Sequence, residues 1–561
     1  MSERPWQQAA ILAGITLLVF APTLSAGFVY DARLQILTDP FLHDPRNWWP
    51  VLSFSVLAQD VLDFNRPVHL ASLMIDAAVW GKEPFGYHLT SVVLHAVNVV
   101  LVWAVLRGLS PGSRLGASID PAIEALSASE GIPRREPRTR HHHQPADAPA
   151  SGSPGLRLGA SLANSAAAVL PPLLFAVHPV VTEAVCEPTF REDLLVAFFT
   201  LSGLLLAMGH SPQASRDPWR ALGCVACSLL AIASKESGIA APAVIGLYWL
   251  LFRRGERGSF WPTAIGSAKL VVLMFLMARF LLEPSPSRIF EARPQYPGGS
   301  LWAALAIEPR ILAFYAQLIL LPANLCADYG LYSVRHLPLT VALIVVAAVV
   351  AAVVLAIRSE RRMVIAIALV VVPLLPVSNL VPIYRAAADR YLYLPLAGVA
   401  LAIGLGFDGP WLASRPWLRE RLLVAGAAAA MLLGLATTER QRIWSSSLAL
   451  WDDTFRKNPA AYTAASGLGE ALREAGRLPE AERAIREAIR LSDEKRGDAW
   501  ATLALILDAQ GRTADADAAL DRAIEVDPKL ADPEARVAAL AMERSFADDF
   551  LRLQERRAAR R

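Results

Sequence analysis

Long apolar runs constrain this chain more than any other feature of its sequence. A membrane-spanning helix needs about 20 mostly apolar residues, and such runs recur from residue 9 until they stop near Thr437. Hydrophobic residues make up 54% of the 561 residues and charged residues only 19%, which excludes a disordered chain, a fibrous repeat and an ordinary soluble enzyme. The sequence therefore predicts an all-α protein with a polytopic membrane domain over 1–440 and a soluble tail over 441–561.

The apolar runs predict about eleven membrane spans. A further run, 301–322, contains Glu308, Arg310 and Gln317. Because central charges are costly in lipid, we predict an interfacial or re-entrant helix there. The first run lacks a convincing cleavage site after it, so we interpret it as a retained span. The predicted spans are 9–27, 87–107, 161–178, 191–209, 219–234, 237–252, 263–283, 338–357, 363–382, 391–408 and 421–437.

Charge asymmetry between the loops predicts the orientation. If the N-terminus is cytoplasmic, the loops on that side carry arginine clusters such as 134–140 and 358–362, while the opposite loops carry aspartates and glutamates. The positive-inside rule then predicts an inner-membrane protein with a periplasmic tail. Residues 110–160 are rich in Ser, Pro, Ala and Gly, which predicts a disordered cytoplasmic loop. A metal site at the adjacent His141, His142 and His143 is the alternative interpretation of that loop.

The tail contains an internal repeat. The segment that ends at Gly476 resembles the one that ends at Gly511. Small and large apolar residues also recur about 35 residues apart: Ala481, Ile485 and Ala488 return as Ala516, Leu520 and Ala523. This spacing resembles the tetratricopeptide (TPR) repeat. It predicts a C-terminal TPR α-solenoid whose residues 530–556 form capping helices.

The first outward loop, 28–86, is the best candidate for chemistry. It begins with Phe28-Val29-Tyr30-Asp31 directly after the first span. A carboxylate at the membrane–water boundary can accept a proton from a hydroxyl that attacks a lipid-linked substrate. The alternative is that Asp31 only caps a helix. The net charge of +3 does not argue for nucleic acid, and no Cys/His group has zinc spacing, so we predict neither a metal site nor a bound cofactor.

Several short motifs occur in a fixed order. Together they resemble the transmembrane and TPR-repeat-containing O-mannosyltransferase family and its bacterial relatives, over nearly the whole chain outside 110–160. The blocks are Gly27 to Asp31, Asp39-Pro40, Trp48-Trp49, Asn65-Arg66-Pro67, Trp80 to Leu89, Phe175 to Val185, Arg191 to Leu195, Ser234-Lys235-Glu236, Ser378 to Val381 and Ala388 to Pro395.

The resemblance implies a C-type (GT-C) glycosyltransferase. Such an enzyme moves a sugar, here mannose, from a polyprenyl-phosphate carrier to an acceptor hydroxyl on the lumenal or periplasmic side. In the family the first outward loop usually begins with an acidic pair after the tyrosine. Here the matching positions are Asp31 and Ala32, so the second carboxylate is absent and Asp39 is the alternative partner.

The resemblance also implies roles for site residues. Asp31 would be the general base, and Arg191, Arg390 and Lys235 would hold the phosphate of the donor, because guanidinium and ammonium groups match phosphate oxygens. Carboxylates close to these cations would orient them or bind sugar hydroxyls, and Tyr393 would line the donor site or belong to the aromatic belt. Those carboxylates are Glu183, Asp193, Glu236 and Asp389. For each charged residue the alternative is an interfacial ion pair.

The sequence therefore predicts a membrane mannosyltransferase that inverts the sugar by direct displacement. The polyprenyl-phosphate sugar is its donor, and a protein or peptide, presented by the TPR tail, is its acceptor. A non-catalytic, membrane-anchored TPR scaffold is the alternative, favoured by Ala32. A transporter is a third possibility, but its charges would gather around a midplane site between broken helices.

Overall fold

The computed structural model describes residues 5–59, 61–110, 154–209, 217–253, 296–330, 332–380, 382–533 and 543–560, together with the single positions 266, 269 and 273. No strand occurs among these residues. In the membrane domain the described α-helices are α1 (Pro5–Phe20), α2 (Trp48–Leu52), α3 (Pro67–Trp80), α4 (Pro84–Leu109), α5 (Pro154–Ala176), α6 (Thr182–Cys186), α7 (Arg191–Met208), α8 (Pro218–Ser234), α9 (Ala240–Phe252), α10 (Leu301–Leu320), α11 (Tyr332–Arg335), α12 (Leu339–Ser359), α13 (Met363–Val371), α14 (Tyr393–Asp408), α15 (Pro410–Ala413) and α16 (Pro416–Ile443).

The tail follows α16 after a short break. Its described α-helices are α17 (Ser447–Lys457), α18 (Tyr462–Glu474), α19 (Leu478–Leu491), α20 (Gly497–Ala509), α21 (Thr513–Val526) and α22 (Arg544–Arg560). Short 3-10 helices cover Ala21–Ser25, Phe41–His43, Pro45–Asn47, Ser55–Ala58, Pro179–Val181, Pro188–Phe190, Glu236–Ile239, Val372–Val377, Asp389–Leu392 and Pro528–Ala531, and Arg33–Thr38 is a π-helix.

The described part of the chain contains six helices that are long and apolar enough to cross a membrane. A seventh span results if the bent pair Asn164–Ala176 and Pro179–Cys186 crosses as one. The all-α, multi-pass membrane architecture predicted from the sequence is therefore confirmed. The six helices are Pro5–Ser25, Pro84–Leu109, Leu301–Leu320, Leu339–Ser359, Asp389–Asp408 and Pro416–Ile443.

The other predicted spans correspond to shorter apolar helices, to α7 or to residues outside the described part of the chain. Pro218–Ser234, Glu236–Phe252 and Met363–Val377 are apolar helices of fewer residues, and α7, which begins with three charged residues, is not among the six. The span predicted at 263–283 lies outside the described residues apart from three single positions. The total of about eleven spans therefore stays a prediction.

Helix α10 has the length and composition of a span, although its charges argued for an interfacial helix. The structure supplies partners for these charges: Asn379 donates a 3.2 Å hydrogen bond to Glu308, and Arg310 Nε donates a 3.0 Å bond to the Leu337 carbonyl. Paired charges are less costly in lipid than isolated ones. Length and composition therefore admit α10 as a span, which the sequence argument did not.

The long loop predicted at 110–160 is only partly described. Residues 111–153, including the three histidines, lie outside the described residues, and α5 already begins at Pro154. The final part of the predicted loop is therefore helical.

Helices pack closely around α4 in the membrane domain. A Cβ atom added at Gly404 of α14 would lie 2.5 Å from Leu106 of α4, and one at Gly398 would lie 2.7 Å from the Ala366 carbonyl of α13. Small residues at such crossings let apolar helices approach closely. By contrast, only 6% of the apolar helix α12 is buried within the structure, which is the pattern of a lipid-facing span.

The tail helices form two successive hairpins, α18–α19 and α20–α21. The repeated residues Ala481, Ile485 and Ala488 and their counterparts Ala516, Leu520 and Ala523 are all buried in one tail core. Gly476 and Gly511, which end the first helix of each hairpin, both adopt positive φ angles of 71° and 79°. The two sequence copies thus fold alike, while their assignment as TPR repeats, the capping role of 530–556 and the domain limits remain predictions.

Candidate active site

Asp31 lies in a sharp turn after the first span, at the end of the bundle where α7 and the Asp389–Asp408 helix begin. Tyr30 has a positive φ of 51°, which reverses the chain between Val29 and Ala32. Both of these neighbours are buried, whereas the Asp31 side chain is exposed. Within the described part of the chain, the Asp31 carboxylate makes no hydrogen bond or ion pair. The turn therefore presents an exposed carboxylate rather than a helix cap.

The surroundings of Asp31 tune its protonation. The surrounding protein partly removes its hydration, and this desolvation raises the pKa of Asp31 from 3.8 to about 6. The positive charges of Arg390 and Arg385 oppose that rise, while the negative charges of Asp63 and Glu192 add to it. A carboxyl with a pKa near 6 is largely ionised at neutral pH and is a stronger base than an ordinary aspartate.

Arg390 is held beside Asp31 by Glu183. Arg390 Nη1 and the Arg390 backbone N–H both donate to the Glu183 carboxylate, the backbone bond being 2.9 Å long. The guanidinium also lies 4.0 Å above the centre of the Phe190 ring. Among the described residues, the Nε and Nη2 groups of Arg390 have no hydrogen-bond partner, so part of its donor fork is available to an anion.

Lys235 and four further charged residues form a network next to Arg390. Lys235 Nζ lies 2.6 Å from Asp193 and 3.0 Å from Glu192. Arg66 pairs with Glu192 and lies 3.3 Å from Glu236. The predicted residues Lys235, Asp193 and Glu236 are thus brought together, and buried carboxylates fix the orientation of the cations.

A small cavity of about 10 Å³ lies beside this network. Asp193 and Lys235 lie at its polar side, and Pro373, Val377 and Leu394 form part of its apolar wall. This volume is about that of one water molecule, so the charged and apolar walls meet here without leaving room for a larger ligand.

Arg191 does not join this group. Its guanidinium pairs with Asp76 at 2.6 Å and donates to the Ser72 carbonyl, the Tyr87 carbonyl and the Ser91 hydroxyl. The Arg191 side chain is fully buried. Its donors are committed to holding α3, α4 and α7 together, so the structure gives it a place in the framework rather than in the open site.

Asp389 and Tyr393 are also engaged by protein partners. The Asp389 carboxylate accepts a hydrogen bond from the Tyr329 hydroxyl and lies 4.0 Å from Arg440. The Tyr393 hydroxyl bonds His95 at 2.7 Å and Asn98 at 3.2 Å inside the bundle core. Both side chains are buried, so neither is positioned to bind a ligand beside Asp31.

Asp39, the alternative acidic partner, is a turn residue. Its Oδ1 accepts a 2.8 Å hydrogen bond from the Phe41 N–H. Desolvation by burial raises the pKa of Asp39 to about 6, and the Phe41 bond opposes that shift. It is not among the main charges that act on Asp31. Among the described residues, no cluster of three or more His, Cys, Asp or Glu side chains is arranged to hold a metal ion.

The chain is similar to several known proteins. The chain is 23% identical over 508 residues to the protein O-mannosyl-transferase F38B6.6 of Caenorhabditis elegans, which covers 86% of this chain and 62% of the relative. It is 26% identical over 493 residues to Tmtc3 of Drosophila melanogaster, covering 77% and 49%. It is 20% identical over 516 residues to human TMTC3, covering 83% and 49%.

The chain is thus similar over most of its length to TMTC protein O-mannosyl-transferases. The resemblance inferred from its sequence blocks is thereby confirmed. The chain spans about half to three fifths of the length of these curated relatives. No family model matches the chain, and no solved structure matches it.

Ala32 stands at the position where the sequence resemblance implies a second acidic residue. Ala32 is fully buried in an apolar cluster with Ile36 and Leu70, and its N–H donates a 3.1 Å hydrogen bond to Glu187. Burial raises the pKa of Glu187 well above its usual value, and the Asp31 charge adds to the rise. A carboxyl group therefore does stand beside Asp31, but it comes from a different segment and supports the turn.

Three functional candidates were not predicted from the sequence. Arg385 bonds the Tyr30 hydroxyl at 2.5 Å, pairs with Asp328 and lowers the pKa of Asp31 through its charge. Arg66 and Glu187 complete the surroundings. Arg66 lies in the Asn65-Arg66-Pro67 block, and its place in that motif could have signalled a role. Arg385 lies just before the Ala388 block and Glu187 just after the Val185 block, so neither carried a motif signal.

Proposed function

We propose that this chain is a membrane glycosyltransferase that moves mannose from a polyprenyl-phosphate donor to a hydroxyl group of a protein acceptor. The proposal is carried mainly by one observation: an exposed carboxylate without a partner among the described residues, Asp31, lies within the field of two arginines, Arg390 and Arg385. The names of the homologues supply the reaction class, and the apolar helices supply access to a lipid-linked donor.

The reaction is a single displacement in this proposal. Asp31 takes the proton from the acceptor hydroxyl while the hydroxyl oxygen forms a bond to the anomeric carbon. The bond between that carbon and the phosphate oxygen breaks, and its electron pair leaves with the polyprenyl phosphate. The configuration at the anomeric carbon is therefore inverted.

The arginines act on the leaving group. Negative charge grows on the phosphate as the bond breaks, and preorganised donors stabilise that charge most effectively in a site with little water. Arg390 offers its Nε and Nη2 groups, since Glu183 occupies only Nη1 and the backbone N–H. Arg385 is the second candidate, and Lys235, which pairs with Asp193 at 2.6 Å, is the third.

The orientation completes the proposal. The arginine-rich loops are cytoplasmic and the Asp31 turn and the tail are periplasmic, as the positive-inside rule predicts. The acceptor then approaches from the side of the tail, whose helical hairpins offer a surface for a peptide. Arg191, Asp389 and Tyr393 are left out of the proposed site because their polar groups are committed to protein partners.

Reconstituted full-length chain in vesicles tests the proposal. The vesicles contain radiolabelled mannosyl-phosphoryl-polyprenol, and a pool of Ser/Thr-containing peptides serves as acceptor. We expect label in the peptide and an equal amount of released polyprenyl phosphate, and no transfer from nucleotide-linked mannose alone.

The non-catalytic scaffold gives a different result in the same experiment. A scaffold would bind peptide without any loss of label from the lipid. Absence of both peptide labelling and polyprenyl phosphate release, with correctly folded protein, would therefore overturn the enzymatic proposal.

A further inference from the structure

The tail makes direct contact with the turn that carries Asp31. Tyr30 adopts the left-handed backbone conformation, with φ of 51°. This conformation is uncommon for a residue with a bulky side chain and persists only when the surroundings enforce it. The groups that hold Tyr30 therefore also determine where the Asp31 carboxylate points.

An aromatic residue of the tail packs on Tyr30. The Trp451 ring of α17 stacks on the Tyr30 ring with centroids 5.4 Å apart and planes inclined by 23°. Phe190 of the membrane domain meets the same ring edge-on at 5.6 Å. Tyr30 is thus held between the tail and the membrane domain, and a stacked pair contributes about 0.5–1.5 kcal/mol beyond burial alone.

The other side of the turn is tied to the tail by charge. Arg33 follows Asp31 by two positions and donates a fork of hydrogen bonds to Glu474 of α18, at 2.8 and 2.5 Å. It also lies 3.0 Å from Glu543. A bidentate arginine–carboxylate pair fixes orientation as well as distance, so both sides of Asp31 are anchored to the tail.

A series of hydrogen bonds and an ion pair also links the tail to the membrane domain beside Tyr30. Asn458, directly after α17, donates to the backbone carbonyl of Asp328 at 2.9 Å, and Thr463 of α18 bonds the Asp328 carboxylate. Asp328 pairs with Arg385, which bonds the Tyr30 hydroxyl. The tail therefore reaches Tyr30 through its ring and, by way of Arg385, through its hydroxyl.

We propose that the tail is a structural part of the active site, in which Trp451 and Glu474 position Asp31 by holding Tyr30 and Arg33. This inference rests on the proposed function. Trp451 and Glu474 are positioning residues, since they act through the turn and not on the substrate. The tail thus has a role in the chemical step in addition to any binding of the acceptor.

The Trp451→Ala variant of the full chain tests the inference in the reconstituted transfer assay. A displacement of a reacting group by about 1 Å can cost about 100-fold in rate, so we expect a fall in kcat of that order with the donor KM changed by less than about twofold. Trp451→Phe retains an aromatic ring for stacking and should restore most of the rate.

Trp500→Ala is the matched control. Trp500 is a half-buried tryptophan of α20 that packs on the tail core and has no contact with Tyr30 among the described residues. It should lower the stability of the tail without lowering kcat. If Trp451→Ala does not fold, the Glu474→Gln variant, which keeps the shape and removes the charge at Arg33, provides the same comparison.

The outcomes separate this inference from the proposed function. Failure of the wild type to transfer mannose contradicts the proposed function itself. Transfer by the wild type with an unchanged kcat in both Trp451→Ala and Glu474→Gln overturns the positioning role alone. A rise in the acceptor KM with kcat unchanged would likewise overturn it, because the tail would then act only in binding.

Discussion

The buried pair between Arg191 and Asp76 allows a quantitative test of the framework. The two side chains are 2.6 Å apart, and only 0% and 3% of their surfaces are exposed. Removing one partner of such a pair leaves a buried charge uncompensated, which costs about 3–5 kcal/mol. Asp76→Asn should therefore lower the free energy of unfolding by about that amount. The side-chain amide oxygen that this substitution introduces can still accept the bond that Thr90 donates to Asp76 in the wild type.

Chemical unfolding of the detergent-purified full chain, followed by tryptophan fluorescence, measures the change. Asp44→Asn is the control, because Asp44 forms an ion pair with the exposed Arg46 and its loss should have no measurable effect. The double variant Asp76→Leu with Arg191→Met removes both charges, and such apolar replacements are often neutral or stabilising. It should therefore be more stable than Asp76→Asn and should retain transfer activity.

Two results would refute this reasoning. If Asp76→Asn unfolds like the wild type, the pair does not stabilise the bundle. If the double variant is stable but inactive, Arg191 belongs to the reactive site, as its sequence motif implied, and the assignment from its buried contacts is wrong.

Three further predictions concern the turn and the tail. Desolvation is the main cause that raises the pKa of Asp31 to about 6. We therefore expect kcat/KM to be constant at neutral pH and to fall about tenfold per pH unit below about pH 5. A fall in kcat/KM that begins only near pH 4 would contradict the raised pKa. Glu187→Gln retains an acceptor for the Ala32 N–H and should be tolerated. Glu187→Ala leaves that buried donor unpaired, which should lower the free energy of unfolding by about 1–3 kcal/mol. Equal stability of the two variants would contradict a stabilising role of the hydrogen bond between Ala32 and Glu187. Gly469→Val should lower the free energy of unfolding of the tail by about 1–3 kcal/mol, because a Cβ atom at this position would lie 2.4 Å from Ile485. If the variant has the denaturation midpoint of the wild type, the α18–α19 hairpin is packed less tightly than the structure shows.

The sequence predicted the fold class because that class depends on composition along the chain. Apolar runs near Pro84–Leu109 and Leu339–Ser359 became long helices, and the repeat around Gly476 and Gly511 became two similar hairpins. The number of spans was harder to predict, because α7 combines an apolar body with a charged first turn. The apolar residues of such a helix do not show by themselves whether it crosses the membrane.

The site was only partly predictable for a related reason. Asp31, Arg390 and Lys235 stand at the ends of apolar runs, which identified them as interfacial charges. Whether such a charge faces a ligand or a protein partner depends on residues that are distant in the chain. Asp76, for example, forms an ion pair with Arg191 although the two residues are distant in the chain. The stacking of Trp451 on Tyr30 likewise corresponds to no motif in either sequence segment.

Mannosyl transfer by the wild type and by Asp31→Asn, at a pH above 7 in the same vesicles, tests the central claim most directly. Asparagine keeps the shape of the side chain and removes the base, and loss of general base catalysis typically lowers the rate by about 10²–10⁴-fold. The account predicts a loss in that range in kcat, with Asp44→Asn unchanged and donor binding retained. Equal transfer by Asp31→Asn and the wild type would contradict the account and remove Asp31 from the mechanism.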